Sequence, residues 1–195
     1  MGQGLVISIR KDGEELANAY YHRAGYTEDA MELVSKCLVG YEDYHNQVKG
    51  SDPMLQAFYM LSASGAGFID GFREEERAIA KKMYPTFGFN VADKNQGWIS
   101  ISKEEREKAL IIDDVYADVE IDIDRGIIDF SLACDYYGDS PIPAKIAGVD
   151  LENIPVLDYD LNAIAFADWD NFCDDLGMIH GFFLDRTNCY YETTE

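Results

Sequence analysis

Ala117-Asp118-Val119-Glu120-Ile121-Asp122-Ile123-Asp124-Arg125-Gly126 decides the reading of this chain. Apolar and acidic residues alternate strictly, the period of a β-strand with Val119, Ile121 and Ile123 on one face and Asp118, Glu120, Asp122 and Asp124 on the other. Arg125-Gly126 then turns the chain into Ile127 to Cys134, so the segment predicts a hairpin. One face belongs to a core; the other carries a row of carboxylates.

Upstream, Leu5-Val6-Ile7-Ser8-Ile9 and the extended stretch Leu16 to His22 flank the turn residues Lys11-Asp12-Gly13, which predicts an opening hairpin. Thr27 before Glu28 and Asp29 has the pattern of a helix start, and Ala30, Val34, Cys37, Leu38 and Tyr41 recur at helical spacing, so a helix is expected over 28–46. Asp52-Pro53 sets a capping carboxylate before a proline at the first helical position, which opens a shorter helix over Met54 to Leu61. Arg73 to Met83 reads as a solvent-facing helix, with Glu74, Glu75 and Glu76 ahead of Arg77, Lys81 and Lys82. Phe87 to Val91 and Trp98 to Ser102 suggest another hairpin around 93–97, and Ser102 with Glu105 forms a capping box for a helix reaching Leu110. Farther on, Pro141, Pro143 and Pro155 interrupt regular structure, Trp169 to Met178 reads as a short helix, and Phe182 to Tyr191 as a closing strand.

These elements describe an α+β fold in which antiparallel hairpins form a sheet and several helices pack on it. With 195 residues, no internal repeat and no clear linker, the chain reads as one domain over 1–195. Its composition, 47% hydrophobic and 13% aromatic, excludes a disordered acidic tail. No apolar run approaches the ~20 residues that span a bilayer, and the start carries no signal peptide, so a cytoplasmic protein is expected. Cys37, Cys134, Cys173 and Cys189 are widely spaced and read as reduced thiols. Thirteen tyrosines exceed what one core buries efficiently, which places some of them at a protein interface.

The net charge of −21 is unevenly distributed. Residues 1–110 hold 13 Lys/Arg against 17 Asp/Glu, whereas the acidic half, 111–195, holds 3 against 20, and 16 of those 20 acids are Asp. A short Asp side chain loses less rotamer freedom when held in place than Glu, so the array is stiff. Such a charge argues against binding nucleic acid or an anionic membrane, which requires Lys/Arg patches, and points to a basic partner. Same-face residues of a strand lie about 6.6–6.8 Å apart, comparable in scale to successive phosphates of a nucleic-acid strand. The candidate partner-binding residues are therefore Asp113, Asp114, Asp118, Glu120, Asp122, Asp124, Asp158, Asp160, Asp168, Asp170, Asp174 and Asp175.

Other chemistries fit less well. Glu120-x-Asp122-x-Asp124 imitates the start of a calcium loop, but Arg125 stands where glycine is required and Ser131 where a bidentate Glu is needed. Gly65-Ala66-Gly67-Phe68-Ile69-Asp70-Gly71 lacks the Gly-Lys-Ser/Thr of a phosphate loop. His22, His45 and His180 have no zinc-binding spacing, and Ser62 and Ser64 have no nucleophile-elbow context. Catalytic residues, a metal site and a cofactor are accordingly not expected. The alternatives are a divalent-metal-dependent nuclease or metal-binding protein acting on RNA or DNA, with Asp113, Asp114 or the Asp168/Asp170 pair as ligands, and an acidic soluble structural protein.

Met1-Gly2-Gln3-Gly4-Leu5-Val6-Ile7-Ser8-Ile9 with Asp12-Gly13, the element Ala19-Tyr20-Tyr21-His22-Arg23-Ala24-Gly25-Tyr26, and Lys94-Asn95-Gln96-Gly97-Trp98-Ile99-Ser100-Ile101-Ser102 together resemble small proteins from Firmicutes and their phages. Within that group the chain is similar to the anti-CRISPR inhibitors of type II systems. The resemblance implies a phage protein of host-defence evasion, acting in the host bacterial cytoplasm on a basic RNA-guided CRISPR nuclease, with or without its guide RNA. It carries no contact residues with it; the acidic residues named above come from the charge pattern. The expected function is that of a non-enzymatic nuclease inhibitor whose carboxylates mimic nucleic acid and occupy a positively charged channel or the arginines that read the PAM.

Overall fold

Asp12 and Gly13, with φ of 53° and 80°, form the tight two-residue connection in which both central residues are left-handed. In a computed structural model, which describes residues 4–25, 27–69, 74–92, 97–101, 115–132 and 145–150, this turn joins β1 (Gly4–Lys11) to β2 (Glu14–Tyr21) as the expected antiparallel hairpin. The register places Ile7 opposite Ala19 and Arg10 opposite Glu15, with a shift after Ile9 that leaves Leu16 as an extra residue.

Two helices follow, both foreseen. α1 (Thr27–Gln47) buries Ala30, Val34, Cys37 and Leu38, and α2 (Pro53–Ala63) starts at Asp52, whose Oδ1 accepts the Leu55 backbone N–H at 3.1 Å. Asp52 Oδ1 also accepts the Tyr84 hydroxyl at 2.7 Å, and the Asp52 backbone N–H donates to the Tyr44 hydroxyl at 2.5 Å. One cap thus ties the end of α1, the start of α2 and the segment at Tyr84 together. Burial, followed by the hydrogen bond and negative charge of Asp52, holds the Tyr84 hydroxyl well above the ordinary tyrosine range. α2 ends at Gly65, whose φ of +83° favours glycine; Gly65 N–H bonds Ser62 O and Ala66 N–H bonds Leu61 O, satisfying the last carbonyls of the helix.

The remaining described elements are β3 (Phe68–Ile69), α3 (Glu74–Met83), β4 (Val91–Ala92), β5 (Trp98–Ser100), β6 (Val115–Asp122), β7 (Ile127–Leu132) and β8 (Lys145–Asp150). The main sheet runs β5-β2-β1-β6-β7-β8, and β3 pairs with β4 apart from it. The fold is α+β, with antiparallel hairpins at β1/β2 and β6/β7, but the sheet is mixed because β1 and β6 lie parallel at its centre. Leu5, Ile7, Ile9, Ala17, Ala19, Tyr21, Ile99, Ala117, Val119, Ile121 and Ile128 share the face that α1 and α2 cover, forming one core with Phe58, Met60 and Leu61.

Three expectations are corrected. The hairpin expected from Phe87–Val91 and Trp98–Ser102 does not form: β4 pairs in parallel with β3, while β5 pairs with β2, because the backbone of Gly67 comes between them, bonded to Gly97 O and Ile99 N–H. α3 is not wholly solvent-facing, since Glu76 is buried and accepts the Ser100 hydroxyl at 3.2 Å and 3.4 Å on its two oxygens. The acidic strand ends at Asp122, so Asp124 belongs to the turn. The helix expected after Ser102, the Trp169–Met178 helix and the closing strand lie outside the described residues, whereas β8 was not foreseen.

Candidate functional site

The second face of the sheet is closed at one end and open at the other. Over β5, β2 and β1 its residues are buried: Ser100, Asn18, Tyr20, Val6 and Ser8 are at most 6% exposed. At β6 it reaches solvent, and there Asp118 and Glu120 are exposed while Val119 and Ile121 point into the core. The expected division of β6 into an apolar and an acidic face is therefore present for these four residues. Parallel pairing sets Val6 beside Asp118 and Ser8 beside Glu120; on the other flank, antiparallel pairing sets Asp129 opposite Glu120.

The four acids of this stretch do different things. Glu120 accepts a hydrogen bond from Arg10 Nη1 at 2.7 Å, and Arg10 Nη2 donates to Gly13 O at 2.7 Å. With 31% of the Arg10 and 50% of the Glu120 side chain exposed, the pair contributes only about 0–1 kcal/mol, but it neutralises the middle of the row. Asp122 shapes the turn: its side chain is 17% exposed, and Oδ1 accepts the backbone N–H groups of Asp124 at 3.1 Å and Arg125 at 3.0 Å. Asp118 and Asp124 are exposed.

Asp113, Asp114, Asp158, Asp160, Asp168, Asp170, Asp174 and Asp175 lie outside the described residues. Two residues of the patch escaped sequence reasoning. Asp129 required the hairpin register, which counting outward from Arg125-Gly126 supplies; Arg10 required the pairing of β1 with β6, for which no local signal exists.

Sites of other kinds find little support among the described residues. No three His, Cys, Asp or Glu side chains there converge as a metal centre would require, and no helix there is long and apolar enough to cross a membrane. Gly65 ends α2, and a Cβ on Gly67 would stand 2.5 Å from Asn90 O, so these glycines serve chain reversal and close strand approach. Cys37 is fully buried, and burial pushes its thiol up to about 12, opposed by a hydrogen bond with Ser64; a nucleophile needs the reverse. His22 Nδ1 lies 3.2 Å from the Tyr20 hydroxyl and His45 Nε2 lies 3.3 Å from Gln56 Nε2, which gives both rings structural neighbours.

No family model matches the chain, and neither a curated protein nor a solved structure matches it.

Proposed function

We propose that the protein is a non-enzymatic inhibitor that binds a basic, nucleic-acid-handling protein through the open acidic end of the sheet; the partner named by the sequence resemblance is an RNA-guided CRISPR nuclease. The observation that supports this reading is the placement of Asp118 and Glu120, exposed and two residues apart on a strand whose opposite face is core, with Asp129 beside Glu120. A strand anchored on one face holds its outward carboxylates at a fixed spacing, so little ordering entropy is lost when a partner's cations engage them. Charge of one sign also accelerates encounter with a basic surface, an effect that falls with ionic strength. Arg10 refines the interface: it makes Glu120 available only to a cation that displaces its guanidinium.

The test is affinity for a type II RNA-guided nuclease, apo and guide-loaded, measured by interferometry between 50 and 500 mM salt. Binding that weakens as salt rises, and that falls at least tenfold when Asp118, Glu120 and Asp129 become Asn, Gln and Asn, supports the reading. Binding indifferent to both, or absent, overturns it.

A further inference from the structure

The outward side of α3 keeps apolar groups in water. Among the described residues the large hydrophobic side chains left exposed are Val39, Ile79, Met83 and Val91, and two of them, Ile79 and Met83, stand one turn apart on this helix with 49% of each in solvent. The helix buries Glu76 and Ala80 on its inner side. On the outer side Glu75, Ala78, Ile79 and Lys82 follow one another at three- and four-residue steps, and all four are exposed. A helix face that met only solvent would carry polar groups throughout.

The charges on that stripe have no partner on their own helix. Glu75 precedes Ala78 and Ile79 by three and four residues, and Lys82 follows the same two by four and three, so neither meets an opposite charge at the spacings where helix side chains touch. From each other they are two turns apart, about 10.5 Å along the axis at 1.5 Å per residue. Among the described residues neither takes part in an ion pair. The helix dipole accounts for acids in the first turn and lysines in the last, but not for the exposed isoleucine and methionine among them.

A second copy of the chain running the other way supplies both the cover and the charges. Turned about a two-fold axis between Ala78 and Ile79, an antiparallel α3 sets Glu75 level with the partner subunit's Lys82 and Lys82 level with the partner subunit's Glu75, because both residues are equally far from that axis in sequence. Ile79 then faces the small Ala78 of the partner subunit, so the backbones can approach, and Met83 extends the apolar contact. We propose that α3 is the contact of a two-fold homodimer, held by Ile79 and Met83 and set in register by two Glu75–Lys82 ion pairs across the axis. One ten-residue helix per copy spans ~15 Å and falls short of the ~800 Å² per partner of a standard interface, so the dimer belongs to the weak class, with a dissociation constant of about 10–100 µM. The net charge of −21 on each copy does not forbid it. Glu76 holds α3 against β5 through Ser100, and the acidic strand β6 lies three strands farther along the sheet, about 14 Å away and beyond the ~8 Å Debye length at physiological salt. Such a dimer needs nothing from the acidic face and carries two copies of it, away from the contact.

Sedimentation velocity of the full chain in about 150 mM NaCl, from about 10 to 500 µM protein, is expected to show a monomer passing into a dimer. Ile79→Ser/Met83→Ser, at two exposed positions, should stay monomeric over that range with an unchanged circular dichroism spectrum. Glu75→Lys alone and Lys82→Glu alone should each weaken the dimer about tenfold, because two attractive pairs become repulsive. An equimolar mixture of these two charge variants carries the parent's total charge and should regain the parent's affinity, since both pairs are opposite again. A parent chain that stays monomeric at the highest concentration, a dimer that survives Ile79→Ser/Met83→Ser, or folded charge variants that fail to recover when mixed would overturn the proposal. The first result would leave the stripe to a different protein, and the second would put the dimer contact on another surface.

Discussion

Arg10 on the first strand and Glu120 on the sixth are 110 positions apart in sequence and joined by a 2.7 Å charge-assisted hydrogen bond across the parallel centre of the sheet. A double-mutant cycle with Arg10→Gln and Glu120→Gln should return a coupling of roughly 0.2–1 kcal/mol in urea unfolding, shrinking as salt is added, because both side chains are partly exposed. A coupling beyond about 2 kcal/mol would mean that the pair is shielded from solvent. The same substitutions should act oppositely on partner binding: Arg10→Gln strengthens it by uncovering Glu120, and Glu120→Gln weakens it.

Asp122 should matter to stability more than to charge. Asp122→Ala removes the acceptor of two backbone N–H groups in the 123–126 turn and is expected to cost about 1 kcal/mol in chemical denaturation. Asp122→Asn keeps an oxygen in the same position and should recover most of that loss. Equal destabilisation by both would show that the charge, not the turn geometry, is what the protein uses.

Gly40 marks a close approach of α1 to the backbone of α2. A Cβ there would stand 2.3 Å from Tyr59 O, a backbone atom that cannot rotate away. Gly40→Ala should therefore destabilise by about 1–3 kcal/mol, the range of an overpacked core, against the small gain alanine brings to an open helical position. An unchanged urea midpoint would show that the two helices separate freely.

Cys37 gives the fold a pH dependence of definite sign. Its thiol is raised by burial from 9.0 to about 12, and the Tyr21 hydroxyl, bonded to Ser64, is raised by burial and by the neighbouring Cys37. The folded state thus holds these protons more tightly than the unfolded chain. Their contribution to stability is complete below pH 9 and declines as pH climbs from 9 toward 12. Denaturation midpoints should be flat from pH 7 to 8.5 and fall above 9, and Cys37 should resist iodoacetamide at pH 8 until the protein is unfolded. Stability rising between pH 9 and 11 would contradict the assignment.

Much of the fold was legible because its signals are local. Asp12-Gly13 announced the first hairpin, Asp52-Pro53 the second helix, and the period of Val119 and Ile121 a strand with one core face. The parallel pairing of β1 with β6 left no such mark, since it depends on two strands more than a hundred residues apart finding each other on a shared core. β3, β4 and β5, of two or three residues each, are too short to show a period. Glu76 was misread for a related reason: Glu74, Glu75 and Glu76 are chemically alike, and only the packing of α3 distinguishes the one that turns inward to Ser100. Within the acidic face, Asp118 and Glu120 could be named from alternation alone, whereas Arg10 and Asp129 became visible only with strand register.

Parallel pairing at the centre of the sheet also fixes an order of events during synthesis. A nascent chain can close the β1/β2 hairpin and fold α1 and α2 onto it early, but β1 keeps one flank unpaired until the ribosome has passed Asp122. While more than a hundred further residues are made, the edge that will become the middle of the sheet is exposed to any other extended segment. Ser8 and Arg10, which later sit beside Glu120 and Asp122, give that waiting edge a hydroxyl and a positive charge in place of a continuous apolar strand. The residue that later tempers the acidic face would thus first protect the edge against wrong partners.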